Sequence, residues 1–165
     1  MKLSHLPTRL ATGAFLVNSG VEKLAATDDA AKLWHDRACV AFPFVRRLEP
    51  RVFARLLGLG ELALGGALLS PMVPPATAGL GLTAFSTALL RLYLKTPGLT
   101  KEDGIRPTAQ GTPLAKDVWM LGIGLSLILD AARPRRRMLR RRRLGDRRRL
   151  QNSPVRAIRA IRRTA

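Results

Sequence analysis

The chain of 165 residues contains one cysteine, Cys39, and two histidines. A single cysteine excludes an internal disulfide, a CxxC redox pair and a cysteine-rich metal cluster. His5 and His35 supply too few ligands for a zinc site, so no metal is expected. His35 and Cys39 lie four residues apart and share one side of a helix. Because two ligands do not make a metal centre, we interpret this pair as incidental.

Long uninterrupted hydrophobic runs are also missing, since no apolar segment reaches the roughly 18–20 residues typical of an isolated membrane span. Residues 56–70 and 118–129 nevertheless lack the polar face of a soluble surface helix. No segment alternates with period two, so each predicts a helix. The pattern indicates an all-α fold, a four-helix transmembrane bundle over residues 1–132, with a soluble four-helix protein as the alternative. The four predicted spans are residues 6–24, 52–70, 75–94 and 114–132.

The connections between these segments differ in character. Residues 71–75 read Pro-Met-Val-Pro-Pro, which predicts a turn between two antiparallel helices. Residues 28–40 predict a short helix that begins at two aspartates, favourable residues at the positive end of a helix. Residues 95–113 are expected to form an irregular polar loop. Three aromatic residues near the short helix are expected at the membrane–water interface: Trp34, Phe42 and Phe44.

Positive charge is concentrated at one end of the chain. Of the 29 Lys and Arg residues, 15 are arginines after residue 132, where Asp146 is the one acid. By the positive-inside rule this Arg-rich tail, residues 133–165, places the C-terminus in the cytoplasm. Four spans then put both termini on the cytoplasmic side of the cytoplasmic membrane, although the loop at 25–51 carries five basic residues against this orientation.

The first segment has a second interpretation, as a signal peptide that ends near Lys23. Asn18, Glu22 and Lys23 interrupt the approach to such a cleavage site. We therefore prefer an uncleaved first span.

The Arg-rich tail is expected to be disordered or partly helical, and it has three interpretations. Binding of anionic lipid is the most economical, because basic clusters beside a membrane span are attracted to the cytoplasmic leaflet. Nucleic acid is a disfavoured partner, since no aromatic interleaving or folded recognition motif accompanies the charge. A topology signal without a partner is the third. The predicted lipid ligands are Arg135, Arg136, Arg137, Arg140, Arg141, Arg142 and Arg143.

Glu61 is the one charged residue in the apolar run 56–70. An ionisable residue within a membrane span is by default a functional-site hypothesis, and Glu61 is our candidate catalytic residue, as hydrogen-bond acceptor or proton carrier. A structural ion pair without a ligand is the alternative. Helical spacing places Glu61 on a stripe of small and apolar residues that should face another helix: Ala54, Gly58, Gly65 and Leu68.

Further charged residues are candidate ligands or counter-charges at this site: Arg9, Glu22, Lys23, Lys116 and Asp117. Arg9 lies on a stripe of the first segment with Gly13, Leu16 and Gly20, and either Arg9 or Lys116 is the expected counter-charge of Glu61. The remaining charges would surround the mouth of a small site. In the other interpretation they only mark span ends at the lipid headgroups.

Three patterns carry a family resemblance: Arg9-x3-Gly13-x-Phe15-x4-Gly20-x2-Lys23-Leu24, Gly58-x2-Glu61-x3-Gly65-Gly66 and Lys116-Asp117. With them, residues 6–132 resemble the DoxX family of small bacterial membrane proteins. The resemblance implies an integral protein of the cytoplasmic membrane, a subunit or partner of a quinone-linked redox system, with membrane lipids and redox-complex subunits as partners. No cofactor is certain, and the candidate ligands near Glu61 are a quinone headgroup and a small acid. The Arg-rich tail departs from the family pattern. The alternative is a non-enzymatic membrane scaffold whose tail binds anionic lipid or an acidic partner.

Overall fold

The computed structural model describes residues 3–132, and this part of the chain is mostly helical, with no strand. The predicted all-α class is therefore confirmed. Two turns of 3-10 helix, Leu3–His5 and Pro43–Arg47, precede the first α-helix and follow the second. The α-helices are α1 (Leu6–Leu24), α2 (Asp28–Ala41), α3 (Pro50–Leu69), α4 (Pro75–Lys95), α5 (Thr112–Ala115) and α6 (residues 117–132).

The chain divides into two compact units, Met1–Ile128 and Leu129–Ala165. The structure describes residues 129–132 of the second unit, which form the end of α6. The Arg-rich tail lies outside the described residues. Its predicted disorder or partial helix, and lipid binding by the arginines at 135–143, therefore stay predictions.

The helices begin where the local chemistry favours a helix start. Pro50 and Pro75 open α3 and α4, where the missing backbone N–H has no helical partner to lose. Thr27 caps α2 by accepting a hydrogen bond from the Ala30 amide at 3.4 Å. The four long helices thus occupy the four apolar segments, and α2 occupies the predicted short helix.

Helices α1 and α3 form an antiparallel pair whose backbones touch. A methyl group added to Gly65 would lie 2.8 Å from the Gly13 carbonyl oxygen, and one added to Gly20 would lie 2.8 Å from the Gly58 oxygen. The seven-residue spacing within each helix keeps both contacts on one face. These glycines therefore set the register of α1 against α3.

Helices α4 and α6 form a second close pair. A methyl group added to Gly79 would lie 2.8 Å from the Gly124 carbonyl oxygen. Between the two pairs lies a core to which all four long helices contribute: Leu16, Leu68, Ala78, Leu82, Met120 and Leu127. Burial of these side chains holds the pairs together as a bundle.

Helix α2 and the 3-10 turn Pro43–Arg47 cover one end of this bundle, and we call them the roof. His35 Nε2 donates to the Val45 carbonyl oxygen at 3.2 Å, which ties α2 to the turn. Arg91 Nε donates to the Ala41 carbonyl oxygen at 3.2 Å, which ties the end of α2 to α4. The apolar side of the roof packs on α3 and α4 through Ala38, Cys39, Val45, Phe53 and Leu92.

The connection between α4 and α5 is ordered by its own hydrogen bonds, as expected for an irregular polar loop. Tyr93 donates its hydroxyl hydrogen to the Ile105 carbonyl oxygen at 2.6 Å. Gly98 and Gly104 adopt φ of 81° and 71°, a region that favours glycine. The Arg106 guanidinium beside Asp103 holds the pKa of that carboxyl below its ordinary value.

Among the described helices, Pro50–Leu69 alone combines the length and mean hydropathy of a membrane span, with a mean hydropathy of 1.6 over its best window. Helix α1 carries Arg9, Glu22 and Lys23, and such charges lower mean hydropathy. Of the helices that occupy the four predicted spans, α3 is therefore the one that meets the criteria of length and mean hydropathy.

Candidate functional site

Glu61 is buried on the face of α3 that contacts α1, and Lys23 is its counter-charge. Lys23 Nζ lies 2.9 Å from Glu61 Oε2 and also donates to Ser19 Oγ at 2.7 Å. The contact between Gly20 and Gly58 brings the last turn of α1 beside this part of α3. The register of the two helices therefore selects Lys23 as the partner.

The expectation that Arg9 or Lys116 would be the counter-charge is corrected. Arg9 is fully buried, but its guanidinium caps the C-terminal end of α3. It donates to four carbonyl oxygens at 2.7–3.2 Å: Ala67, Leu68, Ser70 and Val73. The last carbonyls of a helix lack helical partners and carry partial negative charge. Arg9 therefore satisfies a helix end, at the opposite end of α1 from Lys23.

Asp117 is the third charged residue at this site, and like Glu61 it is buried. It lies in the first turn of α6, where the Glu61 carboxylate repels it and the Lys23 ammonium attracts it. We call Lys23, Glu61 and Asp117 the polar cluster. The structure thus brings together three of the predicted residues from three different helices.

The other two predicted charges stay apart from the polar cluster. Glu22 is exposed and accepts a hydrogen bond from Asn18 Nδ2 at 2.7 Å on the same helix. Lys116 is exposed beside Asp117. For Glu22 and Lys116, the interpretation as charges at helix ends fits the structure.

A cavity of about 680 Å³ lies beside the polar cluster, at the end of the bundle that the roof covers. The chain has eight aromatic residues. Six of them line this one cavity: Phe15, Trp34, Phe42, Phe44, Phe53 and Phe85. Aromatic walls with a few convergent polar groups are typical of small-molecule sites, and flat rings pack well against planar ligands.

The cavity meets the outer surface of the helices beside α1 and the roof. Phe15, Phe44 and Leu56 line it and are also 60%, 68% and 54% exposed. Residues that are both exposed and part of the wall mark an opening. Because these three side chains are apolar, the opening lies in an apolar surface.

Two basic side chains approach the cavity from different sides. Lys23 Nζ lies 5.4 Å from the centroid of the Trp34 ring, within the range of a cation–π contact. Arg37, which is half-buried on α2, lines the cavity from the roof. The cation of the polar cluster is therefore shared between Glu61 and the aromatic wall.

His35 and Cys39 pack inside the roof. Cys39 Sγ lies 3.6 Å from His35 Nε2, the atom that also faces the Val45 carbonyl oxygen. Both residues are buried, and neither lines the cavity. We assign the pair a packing role.

The sequence did not indicate Ser19, Arg37, Phe53 or Phe85 as site residues, and it assigned the roof aromatics to the membrane interface. No local pattern indicated the helical aromatics. Phe15 and Phe85 are the central residues of α1 and α4, whereas Phe53 lies in the first turn of α3. That all three line one cavity depends on how the helices pack.

No family model, curated protein or solved structure matches this chain. The resemblance to the DoxX family therefore stays a prediction. What the site can do follows from its own chemistry: a partly buried ammonium, two buried carboxyl groups and aromatic walls can orient the polar head of an otherwise apolar molecule.

Proposed function

We propose that this chain is a four-span membrane protein of the DoxX type whose cavity binds a quinone. In this proposal the protein acts as a subunit or partner of a quinone-linked redox system of the cytoplasmic membrane. Helices α1, α3, α4 and α6 are the spans, and both termini face the cytoplasm.

The outer surface of the bundle supports membrane insertion. Large apolar side chains are 40–60% exposed on each of the four long helices, and leaving such surface in water is unfavourable. A bilayer would cover all of them at once. Examples are Leu10 on α1, Leu59 on α3, Leu80 on α4, and Val118 and Leu125 on α6.

The cavity is the observation that carries the ligand assignment. A quinone has a flat ring, an apolar tail and carbonyl oxygens, which match the aromatic walls, the apolar opening and the Lys23 ammonium. Two of the three ammonium N–H groups bond to Ser19 and Glu61, which leaves one for a ligand carbonyl. A ligand dissolved in the bilayer would reach the cavity through the opening at Phe15 and Leu56.

The residues behind the family resemblance support the same assignment. Gly13, Gly20, Gly58 and Gly65 make the contact between α1 and α3. That contact places Lys23 and Glu61 of these patterns beside the cavity, and Asp117 of the third pattern lines it from α6. The motif residues therefore build one site, in which Glu61 acts as hydrogen-bond acceptor or proton carrier.

Fluorescence of Trp34 tests ligand binding directly. In a Trp119→Phe background, Trp34 is the remaining tryptophan. Decylubiquinone added to the full chain in detergent should quench it saturably. Ala88→Phe fills the cavity and should weaken binding at least about tenfold, because overpacked sites lose ligand contacts. Ala84→Phe, one turn away at an exposed position that does not line the cavity, should bind normally. Linear quenching that both variants share would refute the proposal.

Activity and insertion separate the roles of Glu61. Glu61→Gln should abolish quinone-linked activity of membranes that contain the protein, while the protein still requires detergent for extraction. Release by high salt would instead favour the alternative of a soluble four-helix protein. Unchanged activity would remove Glu61 from the reaction.

The composition of the tail favours a second candidate, a scaffold that binds anionic lipid or an acidic partner. Residues 133–165 contain 15 arginines and one acid, and such clusters attract anionic surfaces. Deletion of these residues should release the partner without unfolding the bundle. Full retention of the partner would reduce the tail to a topology signal.

A further inference from the structure

Within the polar cluster and the adjoining Ser19, hydrogen-bond acceptors without a partner outnumber the donors that remain. Lys23 has one ammonium N–H left after it bonds to Ser19 and Glu61. Glu61 Oε1 and both carboxyl oxygens of Asp117 receive no hydrogen bond from any residue between 3 and 132. The Ser19 hydroxyl group can still donate one hydrogen bond and accept one more besides that from Lys23. Because it adds one donor and one acceptor, the acceptors remain in excess.

In the polar cluster, acidic groups also outnumber basic groups. The polar cluster contains two carboxyl groups and one ammonium, and all three side chains are largely buried. Arg37 is the other basic residue of the cavity wall, but among the described contacts no hydrogen bond joins it to Glu61 or Asp117. A buried carboxylate without donors is unfavourable. A ligand that brings donors would therefore complete this end of the cavity.

This requirement distinguishes the two redox forms of a quinone. The oxidised form presents two carbonyl oxygens, which only accept hydrogen bonds. The reduced form, a hydroquinone, presents two hydroxyl groups, which donate, and each hydroxyl oxygen can still accept from Lys23. Hydrogen bonds from a hydroxyl to a carboxylate are among the strong ones in proteins.

We propose that the cavity selects the reduced form, with hydroxyl groups of the hydroquinone donating to Asp117 and Glu61 and with Lys23 donating to a hydroquinone oxygen. This inference rests on the proposed function, because it specifies which form of the quinone the same cavity takes. Asp117 is then the residue that determines specificity. Reduced quinone is the form that brings donors to a site rich in acceptors.

Competition binding on the full chain in detergent tests the selection. The Trp119→Phe protein is titrated anaerobically with decylubiquinone, with decylubiquinol or with the dimethyl ether of decylubiquinol. Binding of each is read from the quenching of Trp34 fluorescence, and each is then used to compete with the other two. The quinol should bind about tenfold or more tightly than the quinone, as a charge-assisted hydrogen bond predicts. The dimethyl ether has the quinol ring without its donors and should bind no better than the quinone.

The variant Asp117→Asn supplies a second measurement, because it replaces an acceptor-only side chain with one that can donate. It should weaken quinol binding and strengthen quinone binding, so that the preference falls about tenfold or more. Lys116→Gln, an exposed change beside it, should keep the preference. Equal binding of quinol, quinone and ether would overturn the selection and leave the quinone site standing. No saturable binding of any of the three would overturn the proposed function together with this inference.

Discussion

At the scale of single residues, two charged residues of α1 have different roles: Arg9 is fully buried and Lys23 is partly buried. Arg9 bonds to carbonyl oxygens at the end of α3, whereas Lys23 pairs with a carboxylate at the cavity. A charge that is removed from water is costly unless it is paired. The Arg9 site is closed by the protein itself, while the Lys23 site retains an unused donor and neighbouring acceptors. The second is therefore the functional candidate.

Arg9→Ala should destabilise the protein by about 3 kcal/mol, because each buried carbonyl that loses its donor costs about 1–3 kcal/mol and water can reach some of them. Arg9→Lys should recover part of the loss, since an ammonium lacks the planar fork. Denaturation of the full chain in detergent measures both. Arg55→Ala, an exposed change on α3, is the control. An Arg9→Ala protein as stable as this control would contradict the capping role.

The pair of Lys23 and Glu61 should show strong coupling. Lys23→Met leaves a buried carboxylate without its cation and should cost about 3–5 kcal/mol. Adding Glu61→Gln to it should restore much of the stability, because the uncompensated charge is gone. A double-mutant cycle in detergent gives the coupling, with Lys116→Met as an exposed control. Additive effects of the two changes would mean that the contact does not stabilise the fold.

The partner of Glu61 was mispredicted because it depends on the register between helices, which periodicity within one helix does not give. Glycine spacing contained the missing information. Two glycines in each helix are seven residues apart, and they pair as Gly13 with Gly65 and Gly20 with Gly58 when α1 and α3 are antiparallel. An antiparallel arrangement was the one to expect, because α2 is too short and polar to form a span between the two helices. That alignment sets Arg9 beside the end of α3 and leaves Lys23 for the carboxylate.

At the scale of elements, helical periodicity predicted the buried face of α3 residue by residue. The stripe inferred from spacing is the set buried in the structure: Ala54, Gly58, Glu61, Gly65 and Leu68. The roof could be predicted only in part. Its helix was expected, but its packing over the bundle depends on contacts of Val45 with distant residues. The aromatic wall was therefore out of reach of local patterns.

Two adjacent glycines of α3 allow a matched test of the helix contact. Gly65→Ala places a methyl group 2.8 Å from the Gly13 carbonyl oxygen, and we expect a loss of about 1–3 kcal/mol. Gly66→Ala places it in open space and should be neutral or stabilising by up to about 1 kcal/mol, from helix propensity. Thermal unfolding in detergent compares the two. Equal effects would show that the backbones of α1 and α3 are not in contact.

At the scale of the whole molecule, the two helix pairs, the roof and the cavity form one arrangement. The glycine contacts set the level of Lys23 and Glu61, the roof closes one end, and aromatic residues from four helices and the turn form the wall. Such a cavity needs the complete bundle, because no single helix supplies both the polar cluster and the aromatic surface. In the proposed function, a quinone enters this cavity from the bilayer.

Photolabelling in native membranes tests that claim most directly. Membranes containing the full chain are illuminated with an azidoquinone, and the labelled peptides are mapped by mass spectrometry with and without excess decylubiquinone. We expect label within residues 15–23 and 34–61, removed by the competitor and reduced by Ala88→Phe. Label confined to outward-facing residues such as Leu80 and Leu125, and insensitive to the competitor, would contradict it.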